Sequence, residues 1–239
     1  MRMTCVHLVL FCLAGCFPAW AGTDPATRPT TQPATFRLRV RPSTHEVEFV
    51  RIPGGRVELA PLVEGERPHT VQVKPFYMAR TETTQEVVRV WSFALDVPLE
   101  DGQRAKEFEA RTGRVEPPCF VSFSGTREEK DLPAANIPPA SAVAYCQWIG
   151  KQNNRVVRLP TEAEWQLAAL SGRPTTQPAT PAQLAEVAWF ADNSDDEEHT
   201  VATLKPNAFG LYDMLGNVGE WVLLENGEYC LKGGSFRSE

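Results

Sequence analysis

Asp213 and Glu220 are the residues with the plainest chemistry to offer. They bracket Gly216 and Asn217. Carboxylates are hard oxygen ligands, and a chain turning through Gly-Asn adds backbone carbonyl oxygens, the mixture that calcium requires. The plainer alternative is an Asp and a Glu in a solvated turn. Acid is also concentrated in Asp192-Asn193-Ser194-Asp195-Asp196-Glu197-Glu198-His199, a second place for a cation. Consecutive like charges repel and usually mark an exposed loop, so His199 reads as a surface histidine rather than a catalytic base. Glu162 and Glu164 follow Thr161 at a helix start, where capping and the macrodipole explain them; they are not acid–base candidates. Of six cysteines, Cys5, Cys12 and Cys16 fall in the N-terminal apolar segment or at its end, leaving Cys119, Cys146 and Cys230. None forms a CxxC pair of the zinc kind. Three cysteines in an oxidising compartment allow one disulfide at most and leave a thiol over.

The elements that must position these residues are short and loop-linked. The chain has 239 residues, 42% hydrophobic and 23% charged, enough for one globular domain with tails. Its formal charge of -6 and pI near 5.4 lack the Lys/Arg excess that nucleic acid or an anionic lipid surface demands, which excludes both as partners. Twenty Pro and sixteen Gly disfavour a helical bundle. Alternation over Val47–Ile52 followed by Pro53-Gly54-Gly55 predicts a strand and a turn, and Val71–Tyr77 predicts another strand. Thr83-Thr84-Gln85-Glu86 reads as a capping box before a helix that buries Val87, Val90, Trp91 and Leu95. Ser141 is placed to cap a helix burying Val143, Tyr145, Cys146 and Ile149, with Gly150 ending it. Thr161–Glu164 is a second capping box, leading a helix with Trp165, Ala168 and Ala169 inward and Gly172 after it. Pro98–Pro139 reads as a long loop with one short strand at Pro117–Val121. Trp165, Trp221, Tyr212 and Phe209 are explained by core packing.

The N-terminus reads as an address. Arg2 precedes an apolar run, Val6–Ala14, long enough for an export signal and too short to span a bilayer. Residues 1–21 are therefore expected to be a signal peptide, and the protein to be exported to the periplasm or cell envelope. Two cleavage sites compete: Ala19-Trp20-Ala21 suits ordinary signal peptidase, and Leu13-Ala14-Gly15-Cys16 resembles a bacterial lipobox, in which a lipidated Cys16 would be the means of membrane attachment. Residues 22–45 read as a Thr/Pro-rich tether. The octet at 28–35 recurs letter for letter at 173–180, as a low-complexity insertion in a domain covering 46–239.

Four segments, in order, carry a family resemblance: Phe49–Gly55; Phe76–Thr84; Ala144–Trp148 with Arg158–Trp165; and Pro206–Trp221 with Lys232–Phe236 after it. Together they resemble the formylglycine-generating enzyme, or sulfatase-modifying factor, family. The resemblance implies a C-type-lectin-like α+β fold, loop-rich and low in regular secondary structure. It also implies structural calcium, held by the side chains of Asp213 and Glu220 and the carbonyls of Gly216 and Val218, with Asn193 as a ligand of a second ion. Gly219 stands where the family usually has an aromatic residue, which loosens the local packing.

The resemblance further implies copper(I) oxidase chemistry, converting a sulfatase cysteine to formylglycine at a C-terminal cysteine pair. Soft thiolates are what copper(I) needs. The first of those positions is Ser238 here, the second lies beyond Glu239, and Cys230 occupies neither. Copper is therefore not expected. The family's closing segment, with its core strand and a partner cysteine for Cys146, is likewise not found before Glu239. The expectation is a calcium-stabilised binding module without oxidase activity, a pseudoenzyme whose partner is a protein or glycan. An authentic oxidase and a truncated, non-functional family member are the alternatives.

Overall fold

The structure, a computed structural model, describes residues 6–7, 11–13, 35–62, 65, 67–93, 131–171 and 180–239. Its centre is a five-stranded antiparallel sheet in the order β3-β4-β7-β2-β8, built from β2 (Phe11–Leu13), β3 (Thr35–Arg39), β4 (Glu46–Ile52), β7 (Phe76–Ala79) and β8 (Val156–Arg158). A hairpin of β5 (Gly55–Leu59) and β6 (His69–Val73) and a three-stranded sheet, β1 (Val6–His7), β9 (Gly219–Leu223) and β10 (Tyr229–Lys232), complete the strands among the described residues. Among the described residues four helices accompany them: α1 (Gln85–Phe93), α2 (Pro139–Gln152), α3 (Glu162–Leu170) and the single turn α4 (Pro181–Leu184). The rest of the described residues are irregular, as the Gly and Pro content requires. Among the described residues no helix is long and apolar enough to cross a membrane.

The five-stranded sheet is buried on both faces. In β4, Phe49 opposes Ala79 and Val50 opposes Met78, and successive strand residues point to opposite sides. Phe49 and Ala79 join α1 and α2 in one apolar cluster with Tyr145, Ile149 and Val157. Val50 and Met78 join the hairpin and α3 in a second, with Leu59, Trp165 and Val222. Phe36 stacks on Phe49 with ring centroids 5.1 Å apart, closing the first cluster at β3.

Several expectations need correction. Val71–Tyr77 is two strands, not one, because Pro75 supplies no amide for a ladder and the chain bends at Lys74-Pro75 into a different sheet. β3 occupies part of the expected tether: Leu38 and Val40 are buried and Phe36 packs on the core, so a Thr-rich approach ends in an alternating strand. α2 starts at Pro139, whose missing amide suits the first turn, so Ser141 lies buried inside the helix rather than capping it. Gly150 does not end α2; a Cβ there would lie 2.6 Å from the Arg155 carbonyl, so glycine permits the close approach of the chain leading into β8. At α1 the Thr83 hydroxyl is buried without a hydrogen-bond partner, and Glu86 pairs with His45 at 3.2 Å instead of closing a box. The box at Thr161 does form, with Glu164 on the Thr161 amide at 2.8 Å. The α3 stripe is buried as expected, and Ser171, left-handed at φ 44°, provides the C-cap. Trp165 is in the core, whereas Trp221, Tyr212 and Phe209 are half-buried at its margin. Leu95, Gly172, most of the loop from Pro98 with Pro117–Val121 and Cys119, and the insertion up to Ala179 lie outside the described residues. The apolar N-terminal run contributes two short strands, β1 parallel to β9 and β2 between β7 and β8.

Candidate functional site

Asp213, Gly216 and Val218 are carried by the irregular segment that leads into β9, and Glu220 is the second residue of that strand. Asp213, Gly216 and Asn217 have left-handed backbone, φ 54°, 73° and 44°. At Gly216 a Cβ would fall 2.1 Å from the Trp189 carbonyl oxygen, so the loop closes only on glycine. The reading of Asp213 and Glu220 as solvated turn carboxylates is overturned: they are 3% and 2% exposed. Asp213 Oδ2 accepts the Ala202 amide at 2.8 Å, while Asp213 Oδ1 is buried with no hydrogen-bond partner. Glu220 accepts the indole N–H of Trp165.

The structure adds Glu82 to this group. It lies between β7 and α1, 1% exposed, and accepts the Asn217 Nδ2 at 2.7 Å and the Val218 amide at 3.2 Å. Burial, and then the charges of Asp213 and Glu220, drive its carboxyl well above the usual range, against the two hydrogen bonds. Burial likewise raises Asp213, opposed by the Ala202 amide. Burial pushes Glu220 up to about 8, opposed by the Trp165 bond and aided by Asp213. Its neighbours Arg80-Thr81 and Thr83-Thr84 are polar, so no apolar pattern signals that Glu82 turns inward; the signal available was its place within a segment of the resemblance.

Asn217, fully buried, ties this segment to its surroundings. Its amide donates to Trp189 O at 2.7 Å, its carbonyl accepts from Phe236 at 2.7 Å, and its side chain bonds both the amide and carbonyl of His199 at 2.9 and 3.0 Å. His199 stacks on Trp189, centroids 3.8 Å apart, with Nε2 2.9 Å from Ser194 O. It is a half-buried structural histidine. Asn193 uses its side chain locally, Oδ1 on the Phe190 amide at 2.8 Å and Nδ2 on Ala188 O at 3.0 Å, folding the acidic run into a turn.

Calcium fits the first group of residues. Asp213 Oδ1 is an orphaned buried oxygen, and the Asp213 charge raises the proton affinity of both Glu82 and Glu220; a divalent cation is the partner that would let these carboxylates stay charged. Among the described residues no three His, Cys, Asp or Glu side chains form a ready-made metal cluster, so carbonyls such as those of Gly216 and Val218 would have to share the coordination. Copper(I) does not fit at Ser238. Its hydroxyl accepts the Ser235 amide at 2.9 Å and its own amide donates back to Ser235 O at 2.9 Å, a hard oxygen already tied into the Gly-Gly-Ser turn. Beside it opens a cleft of about 680 Å³, lined by Trp165, Leu184, Phe190, Asp192, Lys232 and Ser238 among others. Lys232 is held there by Glu162. Cys146 is fully buried in the first core cluster and Cys230 half-buried on β10.

Comparison with known proteins agrees with this architecture. Residues 36–239 match the family described as the sulfatase-modifying factor enzyme 1-like domain, and the chain belongs to that family. It is 29% identical over 225 residues to the inactive C-alpha-formylglycine-generating enzyme 2 of Bos taurus, covering 74% of this chain and 70% of that one. It is 36% identical over 119 residues to a formylglycine-generating enzyme of Mycobacterium tuberculosis, covering 44% of this chain and 38% of that one. The solved structure of Treponema denticola variable protein 1 shares the fold, with a TM-score of 0.62 and 23% identity over 87% of this chain and 90% of that one.

Proposed function

We propose that this protein is a non-oxidase member of its family, a calcium-stabilised binding module of the cell envelope on a C-type-lectin-like scaffold. The observation that carries the reading is Ser238. Where the resemblance asks for a copper-binding thiolate, a hydroxyl closes the terminal turn. The relative of Bos taurus, named inactive, supports the same reading. The cleft beside Ser238, with apolar walls and Lys232 and Asp192 at its polar points, is where a protein or glycan ligand docks. Arg2 and the apolar run Val6–Ala14 support export, either with cleavage before Gly22 or with a lipidated Cys16.

Two assays test this. Purified protein supplied with copper(I) and oxygen should leave a sulfatase-derived Cys-x-Pro-x-Arg peptide unchanged by mass spectrometry, and appearance of the aldehyde would return the protein to the oxidases. Millimolar calcium, relative to chelator, should raise the melting temperature of the wild type because it binds the folded state alone. Magnesium, which demands a stricter octahedron, should do so less. Asp213→Ala should abolish the calcium response; identical wild-type curves with calcium and chelator would remove the site.

A further inference from the structure

Among the described residues, the end strand of the central sheet is finished by side chains. β3 pairs with β4 on its inner side, where the Val40 amide just beyond it donates to His45 O at 2.9 Å. Amides alternate in direction along a strand, so those of Arg39 and Arg41 point the other way. Both are met by the C-terminal end of α2. The Arg39 amide donates to Asn153 Oδ1 at 3.2 Å, and Asn153 Nδ2 donates back to Arg39 O at 3.0 Å. The Arg41 amide donates to Gln152 Oε1 at 3.1 Å, and Gln152 Nε2 donates back to Arg41 O at 2.9 Å. Each side-chain amide exchanges two bonds with one residue, and those residues are two apart, which is the pattern a neighbouring antiparallel strand makes. Asn153 is held in place for this: as the C-cap of α2 its backbone amide donates to Gly150 O at 3.2 Å, and its Nδ2 also reaches Ile149 O at 2.9 Å.

We infer that Gln152 and Asn153 are a built-in substitute for a strand, closing the β3 edge against a second copy of this chain. A strand edge with free amides and carbonyls is a template for pairing, and a surface that meets its own copy pairs most simply about a two-fold axis, edge against edge. The two side-chain amides satisfy the same backbone groups and stop there, because they offer no row of their own to a following strand. Charge acts in the same direction. Arg37 and Arg39 stand on the exposed face of β3, partnered within the domain by Glu46 and Glu48. In a paired edge these arginines would come against their counterparts, a like-charge contact that salt screens.

The test compares the full chain with its double variant Gln152→Ala/Asn153→Ala. In hydrogen exchange the Arg39 and Arg41 amides should be slow in wild type and roughly tenfold faster or more in the double variant, with Val40 unchanged. In sedimentation velocity the double variant should form, as concentration rises, a dimer that wild type does not form, and high salt should strengthen it. Adding Arg39→Pro, which offers no outward amide and suits an end strand, should return the double variant to monomer with a cooperative melting transition. If the double variant does not fold, Gln152→Ala alone opens Arg41 and should show the faster exchange there and a weaker dimer. Unchanged exchange at Arg39 and Arg41 overturns the closure. A variant that is monomeric at every concentration overturns pairing with a second copy, and a dimer that survives Arg39→Pro lies elsewhere and overturns it as well.

Discussion

At position 165 an indole fills the second core cluster with its ring and satisfies a buried carboxylate with its N–H. The two roles separate under substitution. Trp165→Phe keeps an aromatic ring but leaves Glu220 without that donor, and an unsatisfied buried acceptor of this kind costs about 1–3 kcal/mol. Urea denaturation should show a loss of that size, beyond what the smaller ring accounts for. Glu220→Gln, which keeps an acceptor oxygen, should lose less, and equal stability of Trp165→Phe and wild type would show that the bond contributes nothing. The sequence reveals Trp165 as a core residue because its helical spacing is local. Its partner across 55 residues is not legible, since nothing in a linear pattern states which carboxylate an indole meets. Glu82 was hidden more thoroughly: a Glu flanked by two threonines reads as solvated, and only the folded loop shows it sealed beneath Asn217 and Val218.

Helix α3 shows what a local rule delivers. Thr161 and Glu164 are three residues apart, so their reciprocal capping depends on no tertiary contact, and sequence and structure agree. The structure adds Arg158, whose guanidinium meets both Glu164 oxygens at 2.9 Å. Burial alone would raise the Glu164 carboxyl, but the Arg158 bonds, the Thr161 amide and the Arg158 charge outweigh it and hold the group below its ordinary value. A depressed folded value contributes stability that is complete above the unfolded value of about 4.3 and is lost as pH falls through the folded one. The stability difference between wild type and Glu164→Gln should therefore be constant near neutrality and shrink below about pH 4, as followed by denaturant melts at stepped pH. A difference that grows with acid would contradict the assignment. Where sequence reading misplaced elements, the reason was equally physical. Pro75 divides an apolar stretch that periodicity joins, and β3 follows polar Thr-Pro repeats closely enough to be taken for their continuation.

On the scale of the molecule, the sheet separates two apolar clusters, and irregular segments carrying Leu211 and Met214 join the hairpin and α3 in closing the second. Arg80 shows how they are fastened: its guanidinium pairs with Glu48 of β4 at 3.2 Å and lies over the Tyr212 ring, 5.2 Å from the centroid. The strand pattern and helix faces convey the clusters well, because apolar spacing encodes burial. It conveys the closure poorly, because loops are held by single polar atoms. Asn217 is the clearest of these, one residue bonded to Glu82, Trp189, His199 and Phe236, which come from four separate stretches of chain. Segments tied through one node cannot come apart one at a time. The loops around it should behave as a single unit of local unfolding, so the amides of Asn217, Val218, His199 and Phe236 should share one opening free energy in native-state hydrogen exchange, and Asn217→Ala should lower all four together. Four loops with no regular structure of their own would then open with the sharpness of a small folded domain.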